Sequence, residues 1–354
     1  MLAAFLLSLA LPQAVEVALH PRAIVGEDGA LVEGKFVVVR GDRIVSVVDS
    51  APRGARLVEM DGVLAPGMVD AFSLLGAAGR ITEETERLTP GLRAADGADL
   101  DAKVWRDLAA RGVTSVHLVP EPSNVLAGIG ALLAAGGPQR RVAETTLQIV
   151  SLVSWIEDER VGPTSFSGGL ELLEGAVAAD PGVLTHGLLI FVESAEAIRS
   201  ARTLCEKADV AKHHFVLFGE VGSYGGEAAG ELVCLPALGA SGARAREAEV
   251  MKRLYGAGTR VAFGTLNGAG GFDALRLSAM LLARATGDAG AAWAAVTRNP
   301  AEVLCLSDKV GRIAAGARAD LVLWTGHPLD AAARVQSVLI GGATVYAGAP
   351  QESK

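Results

Sequence analysis

Gly187-Leu188-Leu189-Ile190-Phe191-Val192 runs through Glu193-Ser194 straight into Ala195-Glu196-Ala197-Ile198, an apolar strand-like stretch followed at once by a helical one. The same alternation extends outward in both directions. Upstream come Gly67-Met68-Val69-Asp70, then the helical run Leu100–Arg111, Gly112-Val113-Thr114-Ser115-Val116-His117-Leu118-Val119, and Leu147-Gln148-Ile149-Val150. Downstream come His214-Phe215-Val216-Leu217-Phe218, Leu232-Val233-Cys234-Leu235 and Thr259-Arg260-Val261-Ala262-Phe263, with helical runs Ala195–Lys207, Arg244–Tyr255 and Phe272–Ala285 among them. Seven or eight βα units with buried parallel strands predict a TIM-like barrel. An open doubly wound sheet would need a glycine-rich phosphate loop after its first strand, and Pro66-Gly67 is not one.

Both ends of the chain read differently. Val37-Val38-Val39, the Gly41-Asp42 turn and Ile44-Val45-Ser46-Val47-Val48 are short strands joined tightly. Ala319–Trp324, Val335–Ile340 and Ala343–Tyr346 repeat that texture. Two β-rich ends around a different middle predict that the ends pair into one small sandwich.

The 354 residues carry a net charge of -8, with half of them hydrophobic. This balance opposes a nucleic-acid footprint or a polybasic membrane patch. Cys205, Cys234 and Cys305 form no C-x-x-C pair and read as small buried apolar residues. Met1–Ala14 is apolar, too short to span a bilayer, and reads as a secretory segment with a cleavage box at Ser8-Leu9-Ala10, although a basic start is missing.

Several segments resemble the amidohydrolase superfamily, especially its imidazolonepropionase-like branch. They are Gly41-Asp42-Arg43-Ile44 with Pro66-Gly67-Met68-Val69-Asp70; Thr89-Pro90-Gly91-Leu92-Arg93-Ala94-Ala95-Asp96; Gly112–Val116 running on to Ser123-Asn124-Val125-Leu126-Ala127-Gly128; Asn299-Pro300-Ala301-Glu302; Val310-Gly311-Arg312-Ile313; and Gly316–Trp324 with Pro328-Leu329-Asp330. The resemblance implies one or two divalent metals at the C-terminal mouth of a barrel, activating water for hydrolysis of amide or cyclic C–N bonds.

The resemblance also says where the ligands should stand, and they are not there. The family's strand-one signature is Asp-x-His-x-His, whereas this chain reads Asp70-Ala71-Phe72-Ser73-Leu74. Later histidine positions fall on Phe191 and Phe218, and the strand-end aspartate on Leu266. No barrel-strand run holds a lysine that could be carbamylated. Without metal, clustered His and Asp would cost stability through desolvation and repulsion. Apolar replacements remove that cost and add roughly 1.5–3 kcal/mol per fully buried side chain. Phe72, Leu74, Phe191, Phe218 and Leu266 therefore read as a plug.

Asp70, Glu193 and Glu220 are the surviving carboxylates near the expected mouth, with Asn267 beside them. They suit a hard cation, a metal-free acid/base pair, or solvated and backbone-bonded roles. His213 and His214 are adjacent, so on a strand they face opposite ways and make no ligand pair. His117 reads as a satisfied core histidine, His186 precedes its strand, and His20 and His327 belong to the terminal strands. Ser165 and Ser167 flank Phe166 without a nucleophile-elbow pattern. Gly222, Gly225, Gly226 and Gly230 around Ser223-Tyr224 read as a loop over the mouth.

The expectation is thus an α/β protein: a signal segment over 1–14, a composite β-sandwich from 15–64 and 310–348, and an amidohydrolase-like (β/α) barrel over 65–309. It is read as a metal-free, catalytically inactive relative of enzymes that use zinc or another divalent metal, with no cofactor of its own. Its partner would be a small-molecule ligand or an active relative, not a nucleic acid, and no transmembrane span is expected. Its location would be periplasmic or secreted. Two other readings stay open: a working hydrolase of non-peptide C–N bonds with a non-standard site, and a structural or interaction protein.

Overall fold

The structure, a computed structural model, describes residues 15–81, 83, 85–154, 160–218, 226–238, 244–268 and 270–348, with backbone only at 244–247. Met1–Ala14, Glu220 and the Gly222–Gly225 stretch lie outside these residues.

The two chain ends share one eight-stranded sheet. Its N-terminal members are β1 (Val17–Val25), β2 (Leu31–Glu33), β3 (Phe36–Arg40), β4 (Arg43–Val48) and β5 (Arg56–Pro66). Its C-terminal members are β16 (Leu321–Trp324), β17 (Val335–Ile340) and β18 (Ala343–Ala347). The order is β18-β17-β16-β5-β1-β3-β4, with β2 on β1. The join is antiparallel between β5 and β16, from Leu321 opposite Pro66 to Trp324 opposite Val63. The outer edge of β4 meets residues 316–319: Ile44 N donates to Ala317 O at 2.9 Å and Ala319 N to Asp42 O at 2.8 Å. A separate apolar cluster including Leu19, Val37, Ile44, Leu64, Leu321 and Leu339 fills this unit.

The middle of the chain forms two further sheets. In one, β6 (Met68–Ser73) pairs in parallel with β7 (Val113–Leu118), which pairs antiparallel with β9 (Ala131–Ala134), and β10 (Arg141–Ala143) follows. In the other, β11 (Gln148–Leu152), β12 (Leu188–Val192), β13 (His213–Leu217), β14 (Leu232–Pro236) and β15 (Arg260–Gly264) are all parallel. Its edge strand β8 (Leu126–Ile129) is antiparallel to β11. The expectation of parallel strands throughout is therefore corrected at 126–134. β7 and β8 lie in different sheets, and the strands of this stretch meet antiparallel partners, β8 on β11 and β9 on β7.

Helices separate the parallel strands: α1 (Val104–Ala109), α2 (Phe166–Ala179), α3 (Ala195–Lys207), α4 (Arg244–Gly256), α5 (Ala274–Thr286), α6 (Ala289–Ala294) and α7 (Arg298–Val303). The expected helix at 100–111 is shorter because an aspartate turn precedes it, with Asp101 N donating to Asp99 Oδ1 at 3.0 Å. Ser194 starts α3 by accepting from Ala197 N at 3.1 Å, the cap that the abrupt strand-to-helix change requires. Ser165 does the same for α2.

Strand residues alternate between two cores. Leu188, Ile190 and Val192 of β12 join the larger, which includes Leu108, Ile198, Leu204 and Leu275 from the helices. Leu189 and Phe191 join the smaller, with Val216, Cys234 and Ala262. Period-two alternation with both faces apolar is what a buried parallel sheet demands. Among the described residues no helix is long and apolar enough to cross a membrane.

Candidate functional site

The C-terminal ends of β6 and β15 meet. Leu266 N donates to Phe72 O at 3.0 Å, and Leu74 N donates to Leu266 O at 2.6 Å. This double bond holds Leu266 at φ +48°, a left-handed conformation that a leucine adopts only under constraint.

Phe72 stands at that junction, fully buried, within the smaller core. Its ring meets Phe191 edge-on, with centroids 5.5 Å apart at 78°. Phe191, also fully buried, stacks on Phe218 at 5.7 Å and 24°. Such pairings suit the aromatic quadrupole and add about 0.5–1.5 kcal/mol each beyond burial. Leu74, Phe218 and Leu266 are half-buried and pack against the same core. All five residues thus share one apolar cluster at the strand ends. Gly264 makes room for it, since a Cβ there would lie 2.4 Å from the Phe72 ring.

Asp70 has a different neighbourhood from Phe72, two residues away. The β6–β7 ladder slips between Asp70 and Ser73, which separates the two side chains. Asp70 is in register with Val116, a member of the larger, helix-covered core. Its Oδ1 accepts from Thr265 N at 3.0 Å and Phe72 N at 3.3 Å, and Oδ2 bonds Thr265 Oγ at 2.5 Å. Ser73 Oγ lies 2.9 Å from that threonine hydroxyl. Burial pushes the Asp70 carboxyl up to about 7, against the downward pull of these hydrogen bonds. The group is a tie between β6 and the segment after β15, enclosed by protein donors.

Glu193 is exposed at the end of β12, and both its oxygens are taken by Ser154, N to Oε1 at 2.8 Å and Oγ to Oε2 at 3.0 Å. It is not brought to Asp70, and Glu220 lies outside the described residues.

His117 is fully buried on β7. Its Nδ1 is 2.8 Å from Ala71 O, which only accepts, so Nδ1 carries the proton and Nε2 accepts from Thr146 Oγ at 2.7 Å. Desolvation lowers its pKa to about 4, and the ring stays neutral. His213 and His214 open β13; Nδ1 of His214 is engaged by Leu232 O, and burial lowers that imidazole's pKa. Among the described residues, no group of three or more His, Cys, Asp or Glu could hold a metal ion. The donor chemistry agrees: phenyl and alkyl groups offer no electron pair to a cation, and the buried Asp70 carboxyl is engaged by hydrogen bonds at both oxygens. The described residues at the strand ends therefore do not fit a metal centre.

Sequence reasoning did not single out Thr265, Ser73, Thr146 or Gly264. Gly264-Thr265 directly after an apolar strand was the only signal available, because each of these residues acts through a partner remote in sequence.

No curated protein matches this chain in sequence. Among solved structures, an amidohydrolase from Thermotoga maritima MSB8 superposes with a TM-score of 0.80 at 18% identity, covering 94% of this chain and 100% of that one. A prolidase complexed with N-methylphosphonate-L-proline gives 0.60 at 17% identity, with the same coverage. Phenylurea hydrolase B gives 0.60 at 16%, covering 93% of this chain and 96% of its own. At such identities the likeness concerns the fold. The amidohydrolase family model matches residues 151–345, more than half of the sequence, and on that match the chain belongs to the amidohydrolase family.

Proposed function

We propose that this protein is a catalytically inactive amidohydrolase, with no metal or other cofactor, in which Phe72, Leu74, Phe191, Phe218 and Leu266 occupy the positions where relatives hold metal. In this reading the two middle sheets close through β6 and β15 into one TIM-like barrel, and the eight-stranded sheet folds into a sandwich beside it. The observation that carries the proposal is the ring contact of Phe72 with Phe191 and of Phe191 with Phe218. A metal-activated water needs ligands with lone pairs converging on one point, and these rings fill the space where convergence would occur. A working C–N hydrolase would have to draw on Asp70, Glu193 and Glu220. The first is closed in by Thr265 and the second is spent on Ser154.

The retained role is binding, either of a small molecule or of an active relative, in an exported protein whose signal segment lies within residues 1–14. Titration with Co²⁺ tests the site. The proposal expects neither ligand-field absorption nor a rise in melting temperature, and intense tetrahedral bands would overturn it. N-terminal sequencing of protein from the native envelope tests export, and intact Met1 in a cytoplasmic fraction would contradict it.

A further inference from the structure

We infer a second small-molecule site at the opposite end of β15 from Phe72, taking a monocarboxylic acid that carries a neighbouring hydroxyl or amino group. A cavity of about 620 Å³ opens there, within the range of ligand pockets, with Thr259, Arg260 and Val261 on its wall. It lies where the turn between β1 and β2 docks on α6. That contact is fixed by backbone: a Cβ on Gly29 would lie 2.8 Å from Gly290 N, and one on Gly290 would lie 2.4 Å from Asp28 O. His327 Nε2 adds a bond to Gly29 O at 2.9 Å.

Most polar groups of the wall hold one another. Arg260 forms a two-pronged pair with Glu302 at 2.7 Å each, and Tyr255 OH donates to Asp288 Oδ2 at 2.8 Å. The Arg260 pair and the Tyr255 bond hold the Glu302 and Asp288 carboxyls below their ordinary range, with the backbone N–H of Ala291 contributing most at Asp288.

Three groups on the wall retain capacity. Arg298 uses Nη1 on Glu27 O at 3.2 Å and lies within electrostatic reach of Asp288 and Glu302, while its other nitrogens make no protein hydrogen bond among the described residues. Asn299 is 3% exposed; Nδ2 donates to Val261 O at 2.8 Å, which leaves Oδ1 as an acceptor without a protein partner. Asp28 accepts from Ala30 N through Oδ1 and keeps Oδ2. A planar guanidinium pairs best with a carboxylate, through two parallel bonds. The Asn299 and Asp28 oxygens call for a donor beside it.

Calorimetric titration of the full chain with L-lactate, glycine and acetate tests the site, with the Arg298→Gln variant as control. Saturable binding of lactate or glycine, at least tenfold tighter than acetate and lost in Arg298→Gln of unchanged circular dichroism, supports it. Flat titrations with both lactate and glycine overturn it, as does undiminished binding to Arg298→Gln. Equal affinity for acetate would overturn the assignment of a donor-bearing ligand. The outcome is independent of whether the strand ends near Phe72 bind metal.

Discussion

Two side chains on β6, Asp70 and Phe72, sit two residues apart and have opposite surroundings. Asp70 has kept a full set of polar partners and links two strands through Thr265. The Phe72 ring packs in an apolar cluster and links two strands through Phe191. Both are fully buried, so neither survives as a relic exposed to water. The polar position persists where its bonds are internal to the fold. Phe72, Phe191 and the side chains packed with them are apolar. A half-satisfied buried polar cluster carries the desolvation cost without its compensation, so a site is cheapest either fully partnered, as at Asp70, or apolar, as at Phe72.

The contrast breaks most directly at Phe72. Phe72→Ala removes a buried ring together with its edge-on partner, and should destabilise the protein by about 3–5 kcal/mol in urea unfolding. A cost below about 1 kcal/mol would mean that the rings are not a packed core.

The reverse exchange is the second test. Phe72→His with Leu74→His should restore no amide hydrolysis with Zn²⁺ or Mn²⁺ supplied, since 191, 218 and 266 stay apolar. It should lower stability by about 1–3 kcal/mol for each unpartnered buried polar group. Metal-dependent turnover by this variant would sink the plug reading.

Gly264→Ala sharpens the packing claim. Its Cβ would meet the Phe72 ring at 2.4 Å, and overpacking of this kind costs about 1–3 kcal/mol. Combining it with Phe72→Leu should recover part of the loss, and a double-mutant cycle measures the coupling. Strict additivity would show that the two residues do not touch.

The polar side of the comparison has a pH signature. Asp70 is raised from 3.8 to about 7, so its neutral form is the one the fold prefers. Its contribution is complete below about pH 4 and fades as pH rises through 7. His117 works the other way: lowered from 6.5 to about 4, it favours the fold above 6.5 and penalises it as pH falls through 4. Asp70→Asn preserves the neutral shape and isolates the first effect. It should match the wild type near about pH 5 and exceed it near about pH 9 by roughly 3 kcal/mol, because each pH unit between about 5 and the folded pKa costs the wild type about 1.4 kcal/mol. A difference that does not vary with pH would remove the assignment.

Much of the chain could be read in advance, for local reasons. The strand at 188–192 and the helix at 195–207 declare themselves through an apolar run, a serine cap and a helical run in immediate succession. The meeting of β5 with β16 was legible as matching texture at the two chain ends. The reversed strands at 126–134 were not, because apolar strands carry no mark of direction. In the site, the apolar character of Phe72 and Leu74 was legible from the residues themselves, and the structure places both in one apolar cluster. The separation of Asp70 from Phe72 was not, since it arises from a slip in the β6–β7 ladder that no residue spacing announces. Glu193 looked like a free carboxylate because Ser154, which occupies it, is 39 residues away.

Elemental analysis of the full chain, purified from cells grown with added zinc and manganese and without chelators at any step, tests the central claim most directly. The account predicts less than about one-tenth of a divalent metal ion per chain, unchanged in Asp70→Asn. One or two equivalents of zinc, manganese or iron in the wild type, lost on substitution of Asp70 or Glu220, would contradict it and make a working hydrolase the better reading.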